Sequence, residues 1–432
     1  MKILHTVEFY HPSVGGMQEV VKQISERLVT FGHDITIATT KLTERKTNKL
    51  NGVKIVEFNI SGNIVRGLTG EIEEYKQFLL NSDFDIITNF AAQQWATDIM
   101  LPILDQIKAK KVNVPTGFSG LYCPEYKDYF EHMKIWMKKY ELNIYLSENY
   151  RDIAFARENN ITANVIVPNG ACEVEFGADS KIDIKDKLHI PKDDFLILHV
   201  GSHTGEKGHA EAISIFKKAH LKKATLLIVG NGYLIPMVDT KLQDIKNLIK
   251  LIIINFYPRM NFGLTCLTLC NMRSKLYNSG WLRFIDKKRI SVTQLSRAET
   301  IAAFQQADLF LFPSNVECSP LVLFEAMASR LPFLTTDVGN SAEIVTWSQG
   351  GILLPTKKNT VGNSIAVIRQ SAKLLERLYY DPSFREQLRE SGYHKWKEYF
   401  TWDIIAKTYE SLYLKLIKDD YEHQNCLAQS VQ

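Results

Sequence analysis

The sequence predicts an α/β protein with two doubly wound parallel sheets. Short apolar runs alternate with amphipathic stretches from the first residues onwards, and the same alternation begins again at Phe195. This pattern is typical of parallel strands joined by helical crossovers. The chain has 432 residues, too many for a single hydrophobic core, and fits two domains. We therefore expect a first domain over 1–172, a second over 173–399, a helix over 400–418 and a polar, disordered tail over 419–432.

The predicted strands are short, as expected for sheets that are buried on both faces. In the first half they are Ile3–His5, Ile35–Thr39, Lys54–Phe58, Ile86–Thr88, Val112–Val114, Ile144–Leu146 and Val165–Val167. In the second half they are Phe195–Val200, Leu226–Val229, Arg289–Val292, Leu309–Phe312, Pro332–Thr335 and Gly351–Leu354. The predicted helices include Gln18–Leu28, Thr97–Lys108, Ala210–Ala219, Ala298–Gln306 and Leu321–Arg330. The polar stretch Glu173–Asp194 predicts the connection between the domains.

Composition excludes several classes of protein. A hydrophobic content of 45% and a net charge of +4 are typical of a globular protein and give no reason to expect nucleic acid as a partner. The six cysteines are scattered, which favours a reducing compartment over a disulfide framework. Met1–Leu4 leads directly into a strand and not into a signal peptide. Charges interrupt the apolar region Leu248–Cys270, which therefore does not predict a membrane span. We expect a cytoplasmic protein and leave open a peripheral contact with the inner face of a membrane.

Two sets of residues invite a metal interpretation, and neither is convincing from sequence alone. Asp83 and Asp85 form an Asp-x-Asp pair, but Asp85 runs directly into a predicted strand, and two carboxylates alone hold a cation poorly. Cys266 and Cys270 have no second pair of Cys or His residues near them in the sequence. We therefore expect no metal.

Two loops have the features of an anion site. Gly15 and Gly16 follow the first strand and open a helix, where a glycine backbone can approach a ligand and the helix start favours anions. Their spacing is not that of a dinucleotide-binding motif. In the second half, Lys207 and Gly208 stand just before the helix Ala210–Ala219. A lysine in this position could neutralise a phosphate group.

The stretch Ala307–Glu325 carries the strongest signal in the chain. A buried strand closes at Pro313, a polar turn follows, and a helix begins after Pro320. Glu317 and Glu325 lie on either side of the helix start. A helix start binds phosphate, and carboxylates accept hydrogen bonds from the hydroxyls of a sugar and a ribose. The combination points to a nucleotide sugar.

This stretch is similar to the Glu-x7-Glu motif of the family-4 retaining glycosyltransferases, the glycosyl transferases group 1. The resemblance covers about Lys2 to Lys418, apart from a longer segment near 233–290 that we interpret as an insertion, and includes a Pro-Asn-Gly at 168–170. It implies the GT-B fold, with two Rossmann-like domains facing a cleft and the terminal helix Trp402–Leu416 crossing back to the first domain. It also implies a nucleotide-sugar-dependent enzyme of the hexosyltransferase type that retains the anomeric configuration and uses no cofactor.

The resemblance assigns roles to individual residues. Lys207 would stabilise the leaving diphosphate, Glu317 would hold the donor sugar, and Glu325 would hold the ribose. The remaining donor-binding candidates are Gly15, Gly16, Ser202, Leu295, Ser319, Leu321 and Val322. The donor would be a UDP- or GDP-linked sugar on the second domain, and the acceptor a glycan or lipid-linked molecule on the first. A role in surface polysaccharide or lipopolysaccharide synthesis follows from the family alone.

The sequence departs from the family at two places. Thr116 stands where the family has an active-site histidine, with Asn113 and Ser119 as other polar replacements. Ser202 stands where the family has an arginine, for which His203 or His209 could compensate if they are not simply solvated. These departures keep a second interpretation open, in which the chain binds a nucleotide sugar without transferring it.

The segment Tyr126–Tyr140 also allows two interpretations. Its apolar residues recur at helical spacing and its lysines lie mostly elsewhere, so the helix could face a core or an anionic membrane surface. The core-facing interpretation is favoured.

Overall fold

The computed structural model describes residues 1–232, 264–279, 287–360 and 362–429, with side chains up to 418. The chain divides into two compact units. Unit 1 comprises Met1–Cys172 and Tyr399–Gln432, and unit 2 comprises Glu173–Glu398. Each is an α/β unit with a mainly parallel sheet, as the sequence predicts.

Unit 1 contains an eight-stranded sheet with the strand order β10-β9-β8-β7-β1-β2-β4-β3, and a separate hairpin of β5 and β6. The strands are β1 (Lys2–Thr6), β2 (Asp34–Thr40), β3 (Lys49–Leu50), β4 (Val53–Phe58), β5 (Ile60–Asn63), β6 (Gly67–Gly70), β7 (Ile86–Phe90), β8 (Lys110–Val114), β9 (Leu142–Tyr145) and β10 (Asn164–Ile166). The helices are α1 (Gly16–Thr30), α2 (Ile72–Leu80), α3 (Trp95–Asp98), α4 (Lys127–Trp136) and α5 (Arg151–Glu158). Only β3 runs antiparallel to its neighbour in the large sheet.

Unit 2 contains a six-stranded, fully parallel sheet with the order β13-β12-β11-β14-β15-β16. Its helices and strands, numbered onwards along the chain, are α6 (Glu173–Gly177), α7 (Ile184–Lys187), β11 (Phe195–Val200), α8 (His209–Lys218), β12 (Ala224–Val229), α9 (Cys266–Ser279), β13 (Lys288–Thr293), α10 (Arg297–Gln306), β14 (Leu309–Phe312), α11 (Leu321–Ala328), β15 (Phe333–Thr336), α12 (Ser341–Ser348), β16 (Gly351–Leu354), β17 (Thr356–Lys358), β18 (Ser364–Ala366), α13 (Ile368–Tyr380) and α14 (Pro382–Tyr399). Strands β17 and β18 form a small hairpin.

The last helix, α15 (Trp402–Gln429), belongs to unit 1 and packs against α1. The hydroxyl of Tyr413 lies 2.7 Å from the Thr88 hydroxyl of β7 and 3.3 Å from Nε2 of His5 in β1. His33 Nε2 lies 2.8 Å from a carboxylate oxygen of Glu410. Buried polar contacts of this kind define one position of the helix on the sheet.

Several predicted elements differ from those observed. The predicted helix Thr97–Lys108 is instead the short helix α3 followed by a 3₁₀ turn over Leu101–Gln106. Pro102 explains the break, because proline disfavours the α conformation of the residue before it and cannot donate a backbone hydrogen bond. The predicted connection Glu173–Asp194 is folded into unit 2, since it contains α6 and α7 and buries Phe176 and Ile184. Helix α15 continues to Gln429, so the tail predicted as disordered is helical up to that residue.

Helix α4 faces the core, as favoured from its sequence. Phe130, Met133, Met137 and Tyr140 are all buried, with 3₁₀ turns on both sides of the helix. Ile135 is the exposed apolar residue of this segment. None of the helices in the described part of the chain combines the length and the apolar character needed to cross a membrane.

Asp98, at the end of α3, is a carboxylic acid buried in the core of unit 1. Its Oδ1 accepts a hydrogen bond from the Tyr129 hydroxyl at 2.9 Å, and its Oδ2 accepts one from the backbone N–H of Ile64 at 3.0 Å. Burial raises the pKa of Asp98 to about 6, although the hydrogen bonds oppose this. In the unfolded chain the carboxyl has an ordinary pKa of about 4. The folded state therefore holds the proton more tightly, and stability falls as the pH rises from about 4 to about 6.

We predict that Asp98→Asn removes this pH-dependent loss. As the pH rises from 4 to 6.5, the unfolding free energy of the variant should increase relative to that of the parent by about 2–3 kcal/mol. The altered hydrogen bonding adds a further difference that does not change with pH. Urea unfolding of both proteins across this range measures the difference, in which all other titrating groups cancel. A difference that does not change with pH would contradict the assignment.

Candidate functional site

The strand order of unit 2 places two loops side by side. The chain proceeds outwards from β11 in one direction through β12 and β13, and in the other through β14, β15 and β16. Parallel sheets bind ligands at this reversal point, outside the carboxyl ends of the two central strands. The loop after β11 and the loop after β14 are the ones that meet there.

Backbone contacts hold these two loops together. The N–H of Asn315 donates to the carbonyl of Glu206 at 2.8 Å. Gly208 has a φ of +72°, and a Cβ at this position would lie 1.9 Å from the carbonyl oxygen of Pro313. Only glycine allows both the left-handed backbone and this close approach. The loop that carries Lys207 is therefore held against the loop that carries Glu317.

Lys207 and Glu317 form an ion pair at this junction. The Lys207 ammonium donates to Oε1 of Glu317 at 2.8 Å, and the Ser314 hydroxyl donates to the same oxygen at 2.9 Å. The Glu317 side chain is 10% exposed and that of Lys207 is 27% exposed. Two residues that the sequence predicted for the donor sugar and for the diphosphate are thus in direct contact.

Glu325 lies on the buried side of α11 and is 7% exposed. Its Oε1 accepts a hydrogen bond from Arg297 Nη1 at 2.6 Å, while Nη2 of the same guanidinium donates to Glu175 at 2.6 Å. Sequence analysis identified neither Arg297 nor Glu175 as part of the site. Arg297 lies two residues after Leu295, a predicted donor-binding residue, and this proximity is the sequence signal that could have indicated it.

Two further segments belong to this part of unit 2, namely the turn before α10 and the loop after β15. Leu295 is half-buried in this turn, and Ser296 caps α10 by exchanging hydrogen bonds with Glu299. After β15, the N–H of Asn340 donates to the carbonyl of Cys318 at 2.8 Å and its side chain donates to the Ser319 hydroxyl at 3.2 Å. The loop after β14, which carries Ser319, therefore has hydrogen bonds both to the loop after β11 and to the loop after β15.

Helix α11 begins at Leu321, after the N-cap residue Pro320. Leu321 and Val322 are half-buried and belong to its first turn. The N–H groups of a first turn have no carbonyl partner within the helix, so they are suited to an anion. These two residues thus offer backbone groups to a ligand at this place in unit 2.

Ser202 is exposed and does not replace the missing arginine charge. Its carbonyl accepts a hydrogen bond from the Thr204 N–H at 2.8 Å, in a tight turn. His203 and His209 are buried, so the interpretation of either as a solvated loop histidine is wrong. Their rings stack on each other with centroids 4.0 Å apart.

In unit 1, the corresponding reversal of strand order lies between β1 and β7. Gly15 is the extended N-cap residue of α1 and Gly16 is the first residue of this helix. Thr116, in the loop after β8, has a φ of +56°, which is rare for a β-branched residue. Such a conformation costs on the order of 1–3 kcal/mol and is concentrated at functional sites. This strain favours Thr116 over the other two replacements for the histidine.

The alternatives to Thr116 have structural roles. The Asn113 side chain is buried and donates to Asn143 at 3.0 Å, across strands β8 and β9. Ser119 donates to the side chain of Gln93 at 3.2 Å.

The Asp83 and Asp85 pair is engaged with the start of β1. Asp85 accepts a hydrogen bond from the Lys2 N–H at 2.7 Å, and Asp83 pairs with the Lys2 ammonium. This arrangement agrees with the prediction that the pair consists of polar residues at a strand entry.

The site of unit 2 is a set of buried acids, each paired with a cation and next to the start of a helix. A polyol phosphate can exchange for these internal partners: its hydroxyls donate to the carboxylates, and its phosphate oxygens accept from the ammonium and from backbone N–H groups.

The chain is similar to known glycosyltransferases. Residues 271–395 match the family model "Glycosyl transferases group 1". An uncharacterized glycosyltransferase of Methanocaldococcus jannaschii is 23% identical over 96% of this chain and 98% of its own length. The N-acetyl-alpha-D-glucosaminyl L-malate synthase of Bacillus anthracis is 23% identical over 95% of this chain and 96% of its own. A capsular polysaccharide biosynthesis glycosyltransferase of Staphylococcus aureus is 24% identical over 60% of this chain and 59% of its own.

Solved structures show the same architecture. The sucrose-phosphate synthase from Thermosynechococcus elongatus superposes with a TM-score of 0.71 at 17% identity, and covers 97% of this chain and 99% of its own. Anabaena HepE, solved in complex with UDP and glucose, superposes with a TM-score of 0.66 at 14% identity over 95% of this chain and 99% of its own. The chain therefore has the GT-B fold. The matched family model and the relatives that are glycosyltransferases identify it as a glycosyltransferase.

Proposed function

We propose that this enzyme transfers a sugar from a nucleotide sugar, which binds to unit 2 where the loops after β11 and β14 meet. The observation that carries the proposal is the Lys207–Glu317 ion pair, 2.8 Å long, which involves the loop that leads into α11. This arrangement brings an ammonium, a carboxylate and helix N–H groups together, and a sugar diphosphate needs all three.

The diphosphate accepts hydrogen bonds from Lys207 and from the first-turn N–H groups of Leu321 and Val322. As the bond to the sugar breaks, negative charge grows on the diphosphate. An ammonium that is already in place stabilises this charge without reorganisation at the moment of reaction. Because Ser202 has no charge, we expect the stabilisation of the negative charge on the diphosphate to depend more strongly on Lys207.

Glu317 and Glu325 hold the two polyol parts of the donor. Glu317 receives hydrogen bonds from the hydroxyls of the transferred sugar, and Glu325 from those of the ribose. Before the donor binds, Lys207 and Arg297 compensate these acids. Burying a carboxylate without a partner is costly, so these cations keep the site stable when it is empty.

A UDP-linked donor is the first to test, because the HepE structure of the same fold contains UDP and glucose. A GDP-linked donor is the second. Retention of the anomeric configuration follows from the resemblance to family 4 and is tested by NMR of the product.

The acceptor is a glycan or a lipid-linked molecule that is recognised by unit 1. The same unit carries Gly15 and Gly16, which are candidate donor contacts, and Thr116, which is a candidate catalytic residue. The resemblance to the family supports a role in surface polysaccharide synthesis, as does the likeness to a capsular polysaccharide glycosyltransferase. A lipid-linked acceptor would bring the enzyme to the cytoplasmic face of a membrane as a peripheral protein.

A second candidate function is binding of the nucleotide sugar without transfer. It is favoured by Thr116 and Ser202, which replace the histidine and the arginine of the family. Incubation with a panel of UDP- and GDP-linked sugars and acceptors separates the two functions. Release of UDP or GDP supports the transferase, whereas donor binding by calorimetry without any release, with every donor and acceptor pair, supports the binding protein.

We predict that Lys207→Ala lowers the turnover number by on the order of a hundredfold and weakens donor binding much less. Lys207→Arg keeps the charge and should retain most of the activity. Lys222→Ala, at an exposed lysine of the same unit, is the matched control. Steady-state kinetics at saturating donor decide: a turnover of Lys207→Ala within a few-fold of the parent would remove Lys207 from this role.

We predict that Glu325→Ala weakens donor binding by about 1.5–3 kcal/mol, because a charge-assisted hydrogen bond to the ribose is lost. The fold should survive, since Arg297 keeps Glu175 as a partner. Calorimetric titration measures the affinity, with Glu386→Ala on the exposed side of α14 as the control. Unchanged affinity in a folded Glu325→Ala protein would exclude the ribose contact.

We predict that catalysis needs no added Mg²⁺ or Mn²⁺, because Lys207 and helix N–H groups serve the phosphates. Among the described residues, the acids of the site are paired with cations, and the group of ligands close enough to hold a metal includes cysteines, which are poor ligands for these hard ions. Rates measured in buffer free of Mg²⁺ and Mn²⁺ should match those after either ion is added. A dependence on added Mg²⁺ or Mn²⁺ would refute this.

A further inference from the structure

The loop after β11 also takes part in a largely buried group of cysteine and histidine side chains. We call His203, His209, Cys266 and Cys270 the His–Cys cluster. One ligand atom from each of His203, Cys266 and Cys270 lies within 4.8 Å of the other two. The two cysteines are at the start of α9 and the two histidines belong to the loop after β11 and the first residue of α8. The cluster therefore joins two segments that are far apart in the sequence.

The spacing within the cluster fits tetrahedral coordination. His203 Nδ1 lies 3.4 Å from the sulfur of Cys266. In a zinc site, Zn–S bonds of about 2.3 Å and Zn–N bonds of about 2.0–2.1 Å place the sulfur and nitrogen about 3.6 Å apart. The observed distance between nitrogen and sulfur is thus already close to the distance between two ligand atoms of a tetrahedral zinc site.

His209 is oriented as a metal-binding histidine would be. Its Nε2 lies 3.1 Å from the carbonyl oxygen of Gly201, and because a carbonyl only accepts, Nε2 carries the proton. Nδ1 is left with its lone pair, and it is buried with no hydrogen-bond partner among the described residues. Histidines that bind metals commonly donate their other N–H to a carbonyl in this way.

An ordinary polar core explains the cluster less well. His209 Nδ1 is buried without a hydrogen-bond partner in the described part of the chain, which costs about 1–3 kcal/mol. Three ligand atoms around one point, two of them cysteine sulfurs, form a donor set that is typical of zinc sites. The sequence did not predict this site because the histidines and cysteines that meet here lie about sixty residues apart, 63 in the case of His203 and Cys266.

We propose that the His–Cys cluster binds one Zn²⁺ ion, with Cys266, Cys270 and His203 as the ligands whose atoms already lie together. His209 supplies the fourth ligand atom, Nδ1, after its ring shifts out of the stack with His203. Each cysteine binds as the thiolate and releases its proton when the metal binds. The ion stabilises the contact between the loop after β11 and helix α9.

The metal site itself does not depend on the proposed function, but one consequence does. The same loop carries Lys207 four residues after His203. An ion bound to His203 would therefore restrain the part of the loop that is proposed to bind the diphosphate. The ion is structural and has no part in the reaction.

The test is metal analysis of the purified full-length chain. Elemental analysis of protein expressed with zinc should find about one Zn²⁺ per chain, and Co²⁺ in its place should give the charge-transfer absorption of cobalt bound to thiolate. Cys266→Ser and Cys270→Ser should each lose most of the bound metal, and His209→Gln should weaken the affinity for Zn²⁺ by at least about tenfold. Cys123→Ser, in unit 1, is the matched control and should keep the full zinc content.

Thermal unfolding with and without added Zn²⁺ distinguishes loss of the site from loss of the fold. Zinc should raise the melting temperature of the parent and of Cys123→Ser, and leave that of Cys266→Ser unchanged. Sub-stoichiometric zinc and no cobalt–thiolate absorption in the folded parent would overturn the proposal, as would a Cys266–Cys270 disulfide found by intact mass after purification under reducing conditions. These measurements read metal content and not activity, so their failure is distinct from failure of the transferase assay.

Discussion

Lys207 and Glu317 are 110 residues apart in the sequence, and their ion pair depends on the reversal of strand order between β11 and β14. Where the chain leaves two neighbouring central strands in opposite directions, a crevice forms at the carboxyl ends of these strands, and the two loops after them border it. Gly208 allows these loops to contact each other, because a side chain there would collide with the carbonyl of Pro313. The candidate donor site thus follows from topology and from one backbone contact.

Charge compensation explains how buried acids persist in this site. Glu317 and Glu325 are both largely buried, and each has a cation within hydrogen-bonding distance. Pairs of this kind add little net stability, but removal of one partner leaves a charge that is buried and uncompensated. A ligand that supplies hydroxyls and phosphate together can replace both pairs without such a cost. The proposed donor, a nucleotide sugar, carries the two groups at once.

The loop after β11 has two chemically different sides. Lys207 contacts Glu317 at the site, whereas His203 and His209 are buried against Cys266 and helix α9. A loop that binds phosphate has to present its backbone in one conformation, and contacts on the opposite side provide that restraint. Hydrogen bonds from Ser314 and Asn315 to the carbonyl of Glu206 act from one side, and the His–Cys cluster acts from the other.

The sequence by itself determined the α/β class, most of the strands and the two loops with Lys207 and Glu317, because these depend on local periodicity and on glycine and proline at turns. It was wrong for Thr97–Lys108, where Pro102 interrupts an amphipathic pattern. Only the tertiary structure decided that Arg297 pairs with Glu325 and that His203 meets Cys266, since 28 and 63 residues separate these partners. No local sequence pattern around the arginine or the histidine indicates which residue it contacts. The strand order brings each of them to its partner.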